Sequence, residues 1–449
     1  MSDAGLSDSY APLVFELAMI SGSNVISIPA HDYLQAIEIE IVSGGVSEAG
    51  GWKGAVTLFD EHGGYLEDLL MAAGQTRGML VRWGWDRNVV NRYPTFEGGV
   101  SEYESDFSME GLTLRVDLVP RPLLKAIQAQ PAMSFAEGQK ASDIFKEIAE
   151  AAEWVTVDEE GRSTVEETDG VLDQPLSYDN ESHMRFVRDV LRPRAINADK
   201  DGYFFYFDED NVAHFHSGGY LGWFDPRPTL AAKYVFARDA MGQVISFAPK
   251  MGALFQSVRE GGNVIASAID SIAGSRIEQT ASRVSGTPGG RNISFQDATF
   301  IDDLGDAPMQ RLSLPARDEA ELNRMMAARH SRYKQTEYTA ELEVVGTHAV
   351  RVMDAIQVDY ITQTGEMHYL SGVFIVHKIV HSVGRGEWRT TFELMRPGIG
   401  ANVPGAVRRD VDRESDVKED EETETTTGGR RSKSGKAHIR KRQHRMKNT

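Results

Sequence analysis

The stretch SGVFIVHKIVHSVGRGEWRTTFELMR, residues 371–396, decides how the chain is read. Its first part holds Val373, Ile375, Val376, Ile379, Val380 and Val383. β-Branched side chains lose χ1 freedom in a helix and pack well on a pleated surface, so this run predicts a strand. Gly384, Arg385 and Gly386 interrupt it. Trp388, Thr390, Phe392 and Leu394 then alternate with Arg389, Thr391 and Glu393, the two-residue period of a second strand. Two such runs about a glycine-containing loop predict a β-hairpin. The first run also carries His377 and His381, four apart as on a metal-binding helix. On a regular strand they would share a face roughly 13–14 Å apart, at about 3.3–3.4 Å per residue. One ion cannot bridge that distance. Lys378 also stands where a zinc-protease helix needs its glutamate. No metal is expected there.

Outward from the hairpin, the same period recurs. EYTAELEVVG (337–346) alternates Tyr338, Ala340, Leu342 and Val344 with Thr339, Glu341 and Glu343. AAKYVFARDAMGQVISFAP (231–249) is strand-like, and PARDEAELNRMMAARHSRYKQ (315–335) predicts a charged scaffold helix with Leu322, Met325, Met326 and Arg329 on one side. Residues 226–256 and 316–397 together predict a β-barrel domain with a helix. Near the start, AIEIEIVSGG alternates Ile37, Ile39 and Ile41 against Glu38 and Glu40, and GLTLRVDLVP alternates Leu112, Leu114, Val116 and Leu118 against Thr113, Arg115 and Asp117. KGAVTLFDEHGG and GMLVRWGW add strands, and YLEDLLMAA a short helix. Residues 1–121 therefore predict another small barrel, with a boundary at 121–132 where Pro120, Pro122 and Pro131 cluster.

Residues 133–225 predict a small α+β module. ASDIFKEIAEAAEW is amphipathic, with Ile144, Phe145, Ile148, Ala149 and Ala152 on one face and Ser142 as its expected N-cap. In NESHMRFVRDVLRP, Ser182 is the expected cap, Phe186, Val187, Val190 and Leu191 face inward, and Pro193 stops the helix after Arg192. GYFFYFDEDNVAHFHSGG reads as strand, polar turn, strand. His214 and His216 share a strand face at ligand spacing, but no further His, Asp or Glu cluster adjoins them to complete a site, so they are read as half-buried ring packing. Residues 257–315 are an insertion rich in Gly, Ser and Ala, in which NVIASAIDSIAG fits either helix or strand.

The chain has 449 residues, is 41% hydrophobic and 26% charged, and contains no cysteine. It is long enough for several domains, and neither a disulfide nor a cysteine-based site is possible. No apolar run approaches the roughly 20 residues of a membrane helix. The N-terminus lacks a basic n-region, so no signal peptide is expected and synthesis in a cytoplasm is. Residues 408–424 hold four Lys/Arg and nine Asp/Glu, and residues 430–447 hold nine Lys/Arg and no Asp/Glu. Residues 1–407 then carry 35 positive and 58 negative groups, net −23, which argues against a nucleic-acid grip by the body. Residues 398–449 have too few large apolar side chains to offset ordering entropy and are expected to be a disordered acidic-then-basic tail. No P-loop, GxGxxG, GxSxG or HExxH motif occurs, and no carboxylate pair stands out. No catalytic residue, cofactor or metal ligand is assigned.

The order of these elements carries a resemblance. A β-rich start is followed by KASDIFKEIAEAAEW, QPLSYDNESHMRFVRDVL and an aromatic hairpin; ARDEAELNRMMAARH then runs into TAELEVVGTHAVRVMDAIQV, and the opening hairpin closes the set. Over about residues 10–397 this resembles the baseplate hub family of contractile-tail bacteriophages, which includes late control protein D and the hub part of type VI secretion spikes. The resemblance implies a fold that is α+β and mainly β: two tube-like β-barrel domains with the small module between them. It implies a structural virion protein of the tail baseplate, made in the host cytoplasm. It further implies a homotrimer that presents six barrels in a ring, adapting a hexameric tail tube or distal tail protein to a trimeric central spike, with the tape measure protein a further partner and no membrane. Two other readings stand beside it: a tail-associated cell-wall hydrolase using unseen carboxylates or the His214/His216 pair, and a tape-measure or nucleic-acid binder acting through the basic tail.

Overall fold

The structure, a computed structural model, describes residues 13–396 with breaks, of which those of six residues or more are 44–49, 86–93, 124–130, 218–228, 251–263, 270–275, 282–309 and, apart from Leu322, 314–337. Most of the charged helix expected at 315–335 and the whole tail at 398–449 lie outside the described residues.

Seven strands come first: β1 (Val14–Ser21), β2 (Asn24–Ile28), β3 (Leu34–Val42), β4 (Gly51–Asp60), β5 (Gly78–Gly84), β6 (Phe96–Ser108) and β7 (Gly111–Pro120). The expected alternation holds: Ile37, Ile39 and Ile41 on β3, and Leu112, Leu114, Val116 and Leu118 on β7, are all buried. The short helix Gly64–Ala73 follows β4, where Asp60 accepts the backbone N–H groups of Tyr65 (2.9 Å) and Leu66 (3.2 Å) and so satisfies two orphan donors of the first turn.

The module holds β8 (Met133–Phe135), β9 (Leu176–Tyr178), β10 (Tyr203–Phe207) and β11 (Ala213–Ser217). Its helix Ala141–Ala151 buries Ile144, Phe145, Ile148 and Ala149 as expected, but Ser142 is not its N-cap. Lys140 holds that position without a side-chain bond, and Ser142 is buried, its N–H donating to Thr168 Oγ1 at 3.1 Å. A distant threonine thus does what a local cap would do. Ser182 does cap the second helix, accepting Arg185 N–H at 3.3 Å. That helix runs His183–Phe186, widens into a π-turn at Val187–Leu191 and tightens at Arg192–Arg194. Pro193 therefore ends the wide helix by forcing a last 3₁₀ turn rather than an immediate stop.

After the module come β12 (Ala232–Ala237) and β13 (Val244–Lys250), then β14 (Val264–Ile269), β15 (Arg276–Ala281) and β16 (Gln310–Ser313), then β17 (Tyr338–Val345), β18 (Ala355–Ile361), β19 (Gly372–Gly384) and β20 (Trp388–Arg396). The insertion is thus strand at 264–269, and β14 pairs with β15 and β16 in a sheet of its own.

The closing hairpin is β19–β20, and it does more than close one half. Thirteen strands form a single sheet, in the order β13-β17-β20-β19-β3-β4-β7-β6-β5-β1-β2, with β18 beside β19 and β12 beside β18. Along one edge, β19 pairs first with β18 (Gly372 to Ile375) and then with β3 (Lys378 to Gly384). One strand therefore serves both halves of the chain. This corrects the expectation of two closed barrels: among the described residues no sheet closes on itself. β3 gives its second edge to β19 rather than to a strand of its own half. In the other half, β12-β18-β19-β20-β17-β13 runs almost full circle but has no ladder between β12 and β13; Phe236 and Phe247, 6.3 Å apart, meet across that gap. One apolar core spans the sheet, from Leu17, Val56 and Val116 to Leu342, Val376 and Phe392.

Candidate functional site

Two places decide whether this molecule is rigid: the seam where the halves join, and the turn by which the module docks. At the seam, Ile379, His381 and Val383 of β19 stand opposite Ile41, Ile39 and Ile37 of β3. The alternation of the closing hairpin and that of AIEIEI are thus two sides of one register. The imidazole of His381 is buried and Nδ1 lies 3.0 Å from Thr390 Oγ1. Trp83 stacks on Phe96 at 5.2 Å and meets His381, Trp388 and His348 edge-on or tilted at 5.5, 6.0 and 4.9 Å. Trp85 Nε1 donates to Gly346 O at 2.9 Å, and His348 Nε2 lies 3.1 Å from Trp83 O. A Cβ on Gly346 would sit 2.0 Å from the Trp388 ring, so only glycine lets the backbone approach there. Burial lowers the pKa of His348 to about 4 and that of His381 well below its ordinary value, so both rings are neutral fillers at pH 7.

His377 is elsewhere. The β19–β20 register shifts between Val376 and Lys378, so a bulge falls on His377. The bulge breaks the period that would have put His377 and His381 on one face. His377 Nδ1 lies 2.6 Å from Ser43 Oγ, beside the end of β3.

The module docks through β10 and the turn after it. All five residues of β10, YFFYF, are buried. Tyr203, Phe205 and Phe207 fill the module's own core, while Phe204 and Tyr206 belong to the core of the large sheet. A strand buried on both faces reads as an unbroken apolar run. His214 and His216 pair across the hairpin with Tyr206 and Phe204 and so lie on the face toward the sheet. His214 Nε2 is 2.8 Å from Asp208 Oδ2, and His216 Nε2 is 3.2 Å from the Tyr206 hydroxyl. Burial lowers the pKa of His216 to about 3. Among the described residues no group of three or more His, Cys, Asp or Glu is placed to hold a metal ion.

The sequence marks this segment as a polar turn between two strands, but not as a point of docking. Asn211, at φ 61°, accepts from Trp52 Nε1 (3.2 Å) and donates to Glu97 O (3.2 Å), both in the first half. Glu209 and Asp210 meet Arg351 of the second half at 3.1 and 3.2 Å. Arg351 sits on a tight turn in which Met353 is held at φ 74°, a costly value for a residue with a Cβ, by its N–H bond to Val376 O at 2.7 Å. The signal was present in DEDN: an asparagine able to adopt the left-handed region after three carboxylates, between two apolar strands.

Burial pushes the Glu209 carboxyl up to about 8, against the pull of Arg351. A carboxyl raised in the folded state contributes stability that is present below its ordinary value of 4.5 and is lost as pH rises through 8. The Glu209→Gln variant should therefore gain stability over the wild type across that window, the gap widening as pH rises. Denaturant titrations of both proteins at several pH values check this. The lowered histidines act in the opposite sense below about 6.5, but they are common to both proteins and cancel in the difference. A gap that stays constant with pH would contradict the assignment.

No protein-family model matches the chain, and no curated protein matches it. Solved structures do. The tail protein from Neisseria meningitidis MC58 aligns with a TM-score of 0.54 at 10% identity, over 87% of this chain and 98% of its own. The 43 kDa tail protein of prophage MuSo2 from Shewanella oneidensis aligns with a TM-score of 0.50 at 10% identity, over 87% of this chain and all of its own. At that identity it is the fold that is shared, and it is shared from one end of those proteins to the other: this chain has the fold of these two tail proteins.

Proposed function

We propose that the chain is the structural hub of a phage tail baseplate: a homotrimer whose two barrel-like halves per copy make a six-part ring between a hexameric tail tube and a three-fold central spike. The observation that carries this reading is the end-to-end match to the Neisseria tail protein, 98% of whose length is covered. The joined sheet supports it. A ring that must fit six-fold symmetry on one side and three-fold on the other needs two similar walls per chain, fixed to one another. β19 fixes them by backbone ladders to both β18 and β3. The seam and the docked module serve rigidity, and no catalytic step is assigned to either. The tail tube, the spike and the tape measure protein are the proposed partners, and the virion tail the proposed location. Quantitative mass spectrometry of isolated tails tests it: three copies per tail are expected, and a copy number of six, or absence from tails, would overturn the reading.

A further inference from the structure

The joint between the module and the sheet holds more negative than positive groups. Glu209 is 4% exposed, and its Oε2 has no hydrogen-bond partner among the described residues. Its Oε1 meets the guanidinium of Arg351 at 3.1 Å. Asp210 shares that guanidinium at 3.2 Å, and Asp354 Oδ2 accepts the Arg351 N–H at 2.7 Å. Asp208 and Glu159 act on Arg351 through space. Five carboxyls, those of Glu159, Asp208, Glu209, Asp210 and Asp354, therefore gather about one arginine. Tyr206 of β10 and His214 of β11 face the joint as well; burial keeps the Tyr206 hydroxyl protonated, and His214 Nε2 is held by Asp208 Oδ2 at 2.8 Å. From the first half the turn meets neutral groups, the Trp52 indole and the Glu97 carbonyl, while the Glu97 carboxylate pairs with Arg121. Buried carboxylates in excess of their counter-ions cannot all ionise without large cost.

We propose that the 208–211 turn is a proton-held latch: the module stays seated on the sheet while Glu209 keeps its proton, and lifts off as a folded body when Glu209 loses it to solvent. The rest of the seat is narrow. Phe204 and Tyr206 are the described module residues that enter the core of the sheet. Backbone contact adds the Gly50 N–H, which donates to Phe205 O at 2.9 Å. The module can stay folded when it lifts, because Phe145, Trp154, Phe205 and Phe207 form a core of its own. Lifting parts Asn211 from the first half and Glu209 and Asp210 from the second, so a brace between the halves goes with it. The helix Ala141–Ala151 and the β3–β19 ladder stay closed.

Hydrogen exchange in the full-length protein tests this. Two N–H groups report the seat: the Trp52 indole, which donates to Asn211, and the backbone of Gly50. Their opening in the wild type is divided by that in Glu209→Gln at each pH, which cancels the intrinsic pH dependence of exchange. With Glu209 near 4.5 when released and about 8 when seated, the ratio should rise about 70-fold between pH 5.5 and 7.5. Amides of Ala141–Ala151 and of the β3–β19 ladder should show no such rise. A ratio that is flat with pH overturns the latch. A rise shared by all three places marks global unfolding; it overturns the latch and leaves the stability difference between the two proteins standing. The wild type alone gives a second reading that does not depend on how the variant folds. With 13C-labelled glutamate carboxyls, one resonance should titrate above pH 7, and a set that titrates wholly below pH 6 overturns the latch too.

Discussion

Trp83→Ala should destabilise the protein by about 3–5 kcal/mol, the usual cost of emptying a fully buried tryptophan site. The side chain is 0% exposed and touches both halves: Phe96 on one side, His381 and Trp388 on the other. The loss should therefore not stay in the first half. Hydrogen exchange should quicken at β17 and β20 as well as at β5, and the denaturant midpoint should fall in a single transition. Loosening confined to residues 14–120 would mean that the β3–β19 ladder does not couple the halves.

Phe205→Ala should cost about as much, roughly 3–5 kcal/mol, but in another place. Phe205 is fully buried among Phe145, Trp154 and Phe207, with ring centroids at 5.5, 5.7 and 5.7 Å. These lie in the module's core, which is distinct from that of the sheet. Exchange protection should be lost along Ala141–Ala151 while the ladder between β19 and β3 keeps its own. Phe204→Ala, one residue away on the other face, should show the converse pattern. Equal losses everywhere from both variants would indicate one cooperative core rather than two.

The local elements were legible because their physics is local. Alternation in AIEIEI, GLTLRV, TAELEV and WRTTFEL names the buried residues of β3, β7, β17 and β20 correctly, since a half-buried strand must repeat every two residues. The helix faces in the module follow from the 3.6-residue period in the same way. What failed was long-range. Nothing near Ile39 indicates that His381, over 300 residues away, lies opposite it. The bulge at His377 inserts one residue in the middle of a run rich in β-branched side chains, and no glycine or proline marks it. The cap of Ala141–Ala151 is a threonine 26 positions on. Two barrels were expected because each half has strands enough for one. The halves instead share β19, a choice set by register between distant strands. The histidines show the same limit: spacing spoke to whether four ligands could meet, but only the packed seam shows His348 and His381 as neutral rings against tryptophan.

The mass of the purified chain in solution, alone and with its spike, tests the hub reading most directly. Light scattering should give three times 49.7 kDa, in both conditions or once the spike is present as a template. A stable monomer or an even-numbered assembly in both would contradict it.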